Sequence, residues 1–340
     1  MNDNPYGRRN ALALLLLLCL LAGMVLVSFA LGRYPIPPGE LLSMLASRFL
    51  PIRPTWPAQM EAVLFHVRLP RVVLACMVGC CLSGAGAAFQ GVFQNPMASP
   101  DILGASSGAG FGAALAILLG MSSRMIPVSA FLFSLLSVAL VWLVSARVRG
   151  KRILGLILTG MMVSSLFSAG TSFLKLVADP ADQLPAITYW LMGSLSGAKG
   201  EDIRFALLPM ALGMLPLLAL RWQINLLTLG EDEARTMGVH VGRVRTAVLL
   251  GATLLTAASV AVSGVIGWVG LVVPHLARRV VGNNFRYLMP ASMLLGAIFL
   301  LLVDNLSRNL LATEIPLGIL TAFVGAPFFL YLITRGGEGL

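Results

Sequence analysis

The sequence predicts an all-α polytopic membrane protein of about ten transmembrane helices, one of them short or broken. Three observations predict it. Asp, Glu, Lys and Arg make up 11% of the 340 residues, against about a quarter in a soluble domain. Hydrophobic residues make up 58%, and the mean hydropathy is +0.89. The apolar runs are long and continuous, without the period of two that a half-buried strand requires. A chain with so little charge is solvated mainly by lipid, where each backbone N–H and C=O needs a partner within the protein. Continuous runs of this length meet that need as helices.

The first run, 11–31, follows Arg8 and Arg9. It exceeds the apolar core of a signal peptide and is long enough to span, which predicts a retained first helix. Further spanning windows fall at 62–90, 101–120, 126–147, 152–178, 203–221, 244–266, 287–306 and 315–334. A shorter apolar piece at 268–281 contains Pro274 and His275 and brings the count to ten. Segment 33–61 carries six prolines and reads as short interfacial helices. Segment 179–202, with Asp179, Asp182, Glu201 and Asp202, reads as a second connection on the same side. No stretch suits a soluble domain, so residues 1–340 form one membrane domain.

Basic residues orient the chain. Arg147, Arg149, Lys151 and Arg152 crowd one short loop, and Arg221, Arg235, Arg243 and Arg245 flank another. With Arg8 and Arg9 inside, both loops are cytoplasmic, as are Arg278, Arg279, Arg286, Arg335 and both termini. This orientation suits the inner (plasma) membrane. It accounts for the net charge of +10 without nucleic acid. Arg33, Arg48, Arg53, Arg68, Arg71, Arg124, Arg204 and Arg308 remain on the outer side. Ser83-Gly84 leading to Pro96, echoed by Ser263-Gly264 leading to Pro274, suggests an inverted repeat, as transporters use. Gly84, Gly86 and Gly91, then Gly104, Gly108 and Gly112, allow close helix approach.

The residues argue against catalysis. His66, His240 and His275 are scattered, and Cys19, Cys76, Cys80 and Cys81 lie in apolar runs with no facing ligand pair, so no metal site is expected. Segment 193–200, GSLSGAKG, lacks the phosphate-loop spacing and its terminal Lys-Ser/Thr, so the chain does not bind ATP there. Asp304 and Arg308, four apart, can pair on one helix face, and Lys175 can snorkel from a span end. No carboxylate sits where an ion-coupled secondary transporter, the rival from another class, would need one near the midplane. Segment 230–245, GEDEARTMGVHVGRVR, opens with three acids and is broken by Gly238 and Gly242. It reads as one or two short surface helices serving as a cytoplasmic docking element.

Several motifs resemble the FecCD-type permeases, the membrane subunits of importers for iron–siderophores, haem and cobalamin. The first runs from Arg68-Leu69-Pro70-Arg71 through Gly79, Ser83-Gly84, Gln90-Gly91 and Asn95-Pro96-Met97-Ala98 to Pro100 and Leu103-Gly104. The second is Gly230, Glu231, Ala234 and Gly238. The third runs from Gly264-Val265-Ile266-Gly267 through Gly270-Leu271, Pro274-His275 and Arg278 to Asp304, Arg308, Glu314, Pro316, Gly318 and Gly325-Ala326-Pro327. The resemblance implies that Arg68, Arg71 and Arg308 dock a substrate-binding protein, and that Asn95 and Met97 belong to a cytoplasmic gate. It implies that Glu231, Ala234, Arg235 and Gly238 couple to the ATPase. A second gate loop of the family would fall at Arg149-Gly150-Lys151, whose residues differ in type, so no role is transferred there. The implied assembly is a homodimer with two ATP-binding cassette subunits, which hold the ATP and Mg; no cofactor is expected in this chain. Ferric siderophore is the first-ranked cargo, then haem, then cobalamin or a metal oxoanion.

Overall fold

Backbone groups that cannot bond to lipid bond along their own chain, and all ten predicted windows are helical in the computed structural model. The structure describes residues 5–32, 34–48, 50–51, 53–147 and 152–335. Arg33, Arg149, Gly150 and Lys151 lie outside the described residues. In chain order the helices are α1 (Pro5–Ala30), α2 (Pro38–Ala46), α3 (Ala58–Ala62), α4 (Leu69–Val92), α5 (Ala105–Leu118), α6 (Met125–Ser145), α7 (Arg152–Val177) and α8 (Gln183–Leu191). There follow α9 (Gly200–Ala219), α10 (Arg221–Leu227), α11 (Glu231–Thr236), α12 (Val241–Ser263), α13 (Val269–Val281), α14 (Phe285–Asn309) and α15 (Leu317–Arg335). A π-helical turn, Val63–Arg68, joins α3 to α4.

Among the described residues, seven helical stretches are long and apolar enough to cross a membrane: α1, α3 continued by α4, α6, α7, α9, α12 and α14. Helices α5 and α15 are apolar but shorter, and α13 has 13 residues. The proline-rich segment forms α2 and α3. Pro37 and Pro57 stand at their N-caps, where a missing N–H costs nothing. The 179–202 connection holds α8. Sequence reasoning did not foresee α10.

Helix α4 is the buried centre, packed on α14, α12 and α13. Its glycines make that packing possible. A Cβ on Gly79 would lie 2.2 Å from the Gly296 carbonyl oxygen, and a Cβ on Gly296 equally close to that of Gly79. Side chains are excluded at this α4–α14 crossing, as in small-residue membrane interfaces. The glycine stripe of α5 works likewise against α6, where a hydroxyl adds to the contact: Ser129 Oγ donates to the Gly112 carbonyl at 2.7 Å. Leucines of α1 and α9, such as Leu16 and Leu208, remain over 60% exposed, which suits a lipid-facing rim.

Candidate functional site

The polar groups gather at the two ends of the bundle. At the end carrying α2, α3 and α8, the last turns of α14 face the first turn of α4. Residues Asp304 and Arg308 are four apart and share a helix face. Asp304 Oδ1 accepts from Arg71 Nε at 2.8 Å, and its Oδ2 lies 3.1 Å from Arg308 Nε. Arg71 Nη1 lies 2.9 Å from Glu314 Oε2. Arg308 also donates to Asn305 Oδ1, and Asn305 donates to Ser28 Oγ at 2.7 Å, which binds α1 to α14. Arg71, Asp304 and Arg308 thus pair almost out of solvent, with the partly exposed Glu314 at the edge; removal of the Asp304 charge would leave Arg308 buried without its counter-ion. Arg68 donates to the carbonyls of Phe29 and Tyr34, and to that of Ala30 at 3.3 Å. A cation at the C-terminal end of α1 satisfies carbonyls that the helix leaves open and complements its dipole.

This placement bears on the expected docking residues. Arg68 is 4%, Arg71 4% and Arg308 7% exposed, with their donors directed at their own chain. The sequence shows the acid four residues from Arg308 but not that Arg71 joins the same carboxylate from another helix. Among the described residues, the exposed lysines and arginines at this end are Arg48, Arg53, Arg124, Lys199 and Arg204. Arg48 lies 4.0 Å above the Phe65 ring, and Arg124 meets Glu201 at 2.7 Å.

At the opposite end the chain turns after α4. Asn95 Oδ1 accepts the Met97 N–H at 2.8 Å, and Asn95 N–H donates to the Gln90 carbonyl at 3.2 Å. Asn95 is exposed and Met97 is 46% exposed. Gln90 Nε2 donates to the Leu271 carbonyl at 3.2 Å, while its Oε1 accepts from Arg278, so α4 is stapled to α13. Helix α11 stands beside this turn region on α10 and α12. Its first turn holds Glu231, Asp232 and Glu233, which favour the positive helix end. Gly230 and Gly238, with φ of +138° and +81°, bound it in a region that side chains disfavour. Of the four predicted coupling residues, Ala234 is fully buried as the anchor. Glu231 pairs with Arg245 and, at 3.4 Å, with Arg235. The Arg235 side chain is 60% exposed, Met237 is 59% exposed, and Gly238 is exposed. Sequence reasoning missed Asn225, Gln94 and Asn284, which join α10 to its neighbours; polar residues between the spans give no sign of partners so far along the chain.

Among the described residues no group of three His, Cys, Asp or Glu side chains is placed to hold a metal ion. A concave apolar surface of about 590 Å³ is lined by Leu191, Met192, Val265, Trp268, Ile319 and Phe323 among others.

The family model of the FecCD transport family matches residues 16–335. The molybdate import system permease protein of Haemophilus influenzae is 42% identical over 94% of this chain and 95% of its own. A protein of Helicobacter pylori described as an iron chelatin transport system permease is 40% identical over 82% of this chain and 84% of its own. A solved structure described as an inward-facing conformation of a metal-chelate type ABC transporter superposes with a TM-score of 0.85 and 41% identity. It covers 95% of this chain and 98% of that one.

Proposed function

The chain belongs to the FecCD transport family, and from that premise we propose how it takes a metal-containing cargo across the membrane. It is the membrane permease subunit of an ABC importer for metal chelates, working with an ATPase partner. The match over residues 16–335 carries this reading. The finer assembly is our proposal: ten spans including α5, α13 and α15, related by an inverted repeat, with both termini cytoplasmic. Two copies frame the pathway, two ATP-binding cassette subunits sit below, and a binding protein delivers from above. The apolar concavity beside Trp268 and Phe323 supports a smooth pathway wall.

Segment 230–245, which holds α11, is the ATPase seat. Glu231, Ala234, Arg235 and Gly238 form it, with Ala234 as anchor and the exposed Arg235 as contact. Asn95 and Met97 form the gate on that side. At the other end, the docking part of Arg68, Arg71 and Arg308 is to hold the surface in shape. The exposed Arg48, Arg53, Arg124 and Arg204 supply the positive field that steers an acidic binding protein.

Two cargo readings stand. Iron chelate follows from the Helicobacter pylori relative, and molybdate from the Haemophilus influenzae relative, which matches more of the chain. Uptake of ferric siderophore, haem, cobalamin and molybdate is measured in proteoliposomes holding permease, ATPase and binding protein. ATP-dependent accumulation of one cargo is expected; accumulation that needs no ATPase overturns the reading.

A further inference from the structure

Helix α10 lies between the predicted ATPase seat and the gate turn, and two side chains fasten it. Asn225 uses both atoms of its amide on the start of α14. Its Nδ2 donates to Asn284 Oδ1 at 2.8 Å, and its Oδ1 accepts the Phe285 N–H at 2.7 Å. Asn284 Oδ1 also accepts the Arg286 N–H at 3.0 Å, so the capping group of α14 is held from α10. From the other side, Gln94 Nε2 donates to the carbonyl of Leu227, the last residue of α10. Gln94 has φ +49°, a left-handed conformation that a residue with a Cβ holds only where its surroundings impose it. Gln94 opens the turn in which Asn95 Oδ1 binds the Met97 N–H, so displacement of Gln94 reaches Met97 through a braced loop. Only residues 228–230 separate α10 from α11.

We propose that Gln94 and Asn225 are positioning residues that make α10 a transmission lever. Movement of the 230–245 segment draws on the gate turn through Gln94 and on the first turn of α14 through Asn225. This inference rests on the reading of 230–245 as the ATPase seat. A packing role alone has a different signature. Ile224 and Leu227 already bury α10, at 0% and 2% exposure, and a mere packing defect would lower hydrolysis and uptake together.

The test uses the full complex in proteoliposomes and compares wild type with Asn225→Leu, Gln94→Met and Gln94→Lys. Loss of a neutral hydrogen bond that acts in coupling is expected to cut cargo moved per ATP hydrolysed by about fivefold to tenfold in the first two. Hydrolysis itself stays within about twofold of wild type. Gln94→Lys keeps a donor for the Leu227 carbonyl and restores the ratio. Amide hydrogen exchange over 94–98 changes between ATP-free and ATP-bound wild-type complex and stays flat in Asn225→Leu. Should that variant fail to accumulate, the two substitutions at the exposed Gln94 carry the comparison. A wild-type uptake-to-hydrolysis ratio in Gln94→Met, whether both quantities fall together or neither falls, overturns the lever. A wild-type complex that hydrolyses ATP without uptake overturns the importer reading instead.

Discussion

At the α2–α3 end, Arg71, Asp304 and Arg308 are each under a tenth exposed and bonded within 3.1 Å, whereas at the α10–α11 end Arg235 is 60% exposed and its acid partners stand off at 3.4 Å. The same residue types do opposite work. Buried, balanced charge holds helices in one register and penalises any single loss. Exposed, loosely paired charge contributes little to folding and is free to meet another chain. The first end therefore keeps its shape, and our proposal is that the second is the one gripped.

The sharpest way to break this comparison is Asp304→Ala. Two guanidiniums would remain in a dry site, and a loss of about 3–5 kcal/mol is expected, read as a collapse of Tm in detergent. A loss below about 1 kcal/mol would show that the network does not hold that end. Next comes Gly296→Val, which drives a side chain into the Gly79 backbone. Overpacking of this kind costs about 1–3 kcal/mol, and a lowered Tm is expected; an unchanged value would mean that α4 and α14 can part without cost. Arg235→Glu is expected to leave Tm unaltered and to reduce co-purification of the ATPase about tenfold through charge reversal at the contact. A drop in Tm with ATPase binding intact would reverse the roles assigned to the two ends. Arg124→Ala should have the smallest effect, no change in Tm at all, because its bond to Glu201 is solvent-exposed.

The long apolar helices were legible because lipid imposes one rule on every residue, and that rule writes itself as a local run. Window 126–147 became Met125–Ser145, and 287–306 became Phe285–Asn309. The short helix within segment 230–245 was legible for a related reason: its acids, glycines and arginines depart locally from everything around them. Of the arginines' surroundings, the Asp304–Arg308 pair was legible because it is four residues apart on one helix, whereas the partners of Arg71 were not. Arg71 meets Asp304 and Glu314 across 233 and 243 positions, so no local pattern distinguishes a buried guanidinium from an offered one. Asn225 is the same case at 59 positions from Asn284. The short α10 also lacks the length of apolar run that marked the spans.

The central claim is that drive enters mechanically through 230–245. The most direct measurement is cargo accumulation in proteoliposomes of the complete complex, with that segment intact or replaced by a Gly-Ser linker of equal length. The account predicts accumulation against a gradient only with ATP and the intact segment, and loss of ATPase binding with the linker. Undiminished ATP-driven accumulation with the linker, or uphill movement by the permease alone, would contradict it.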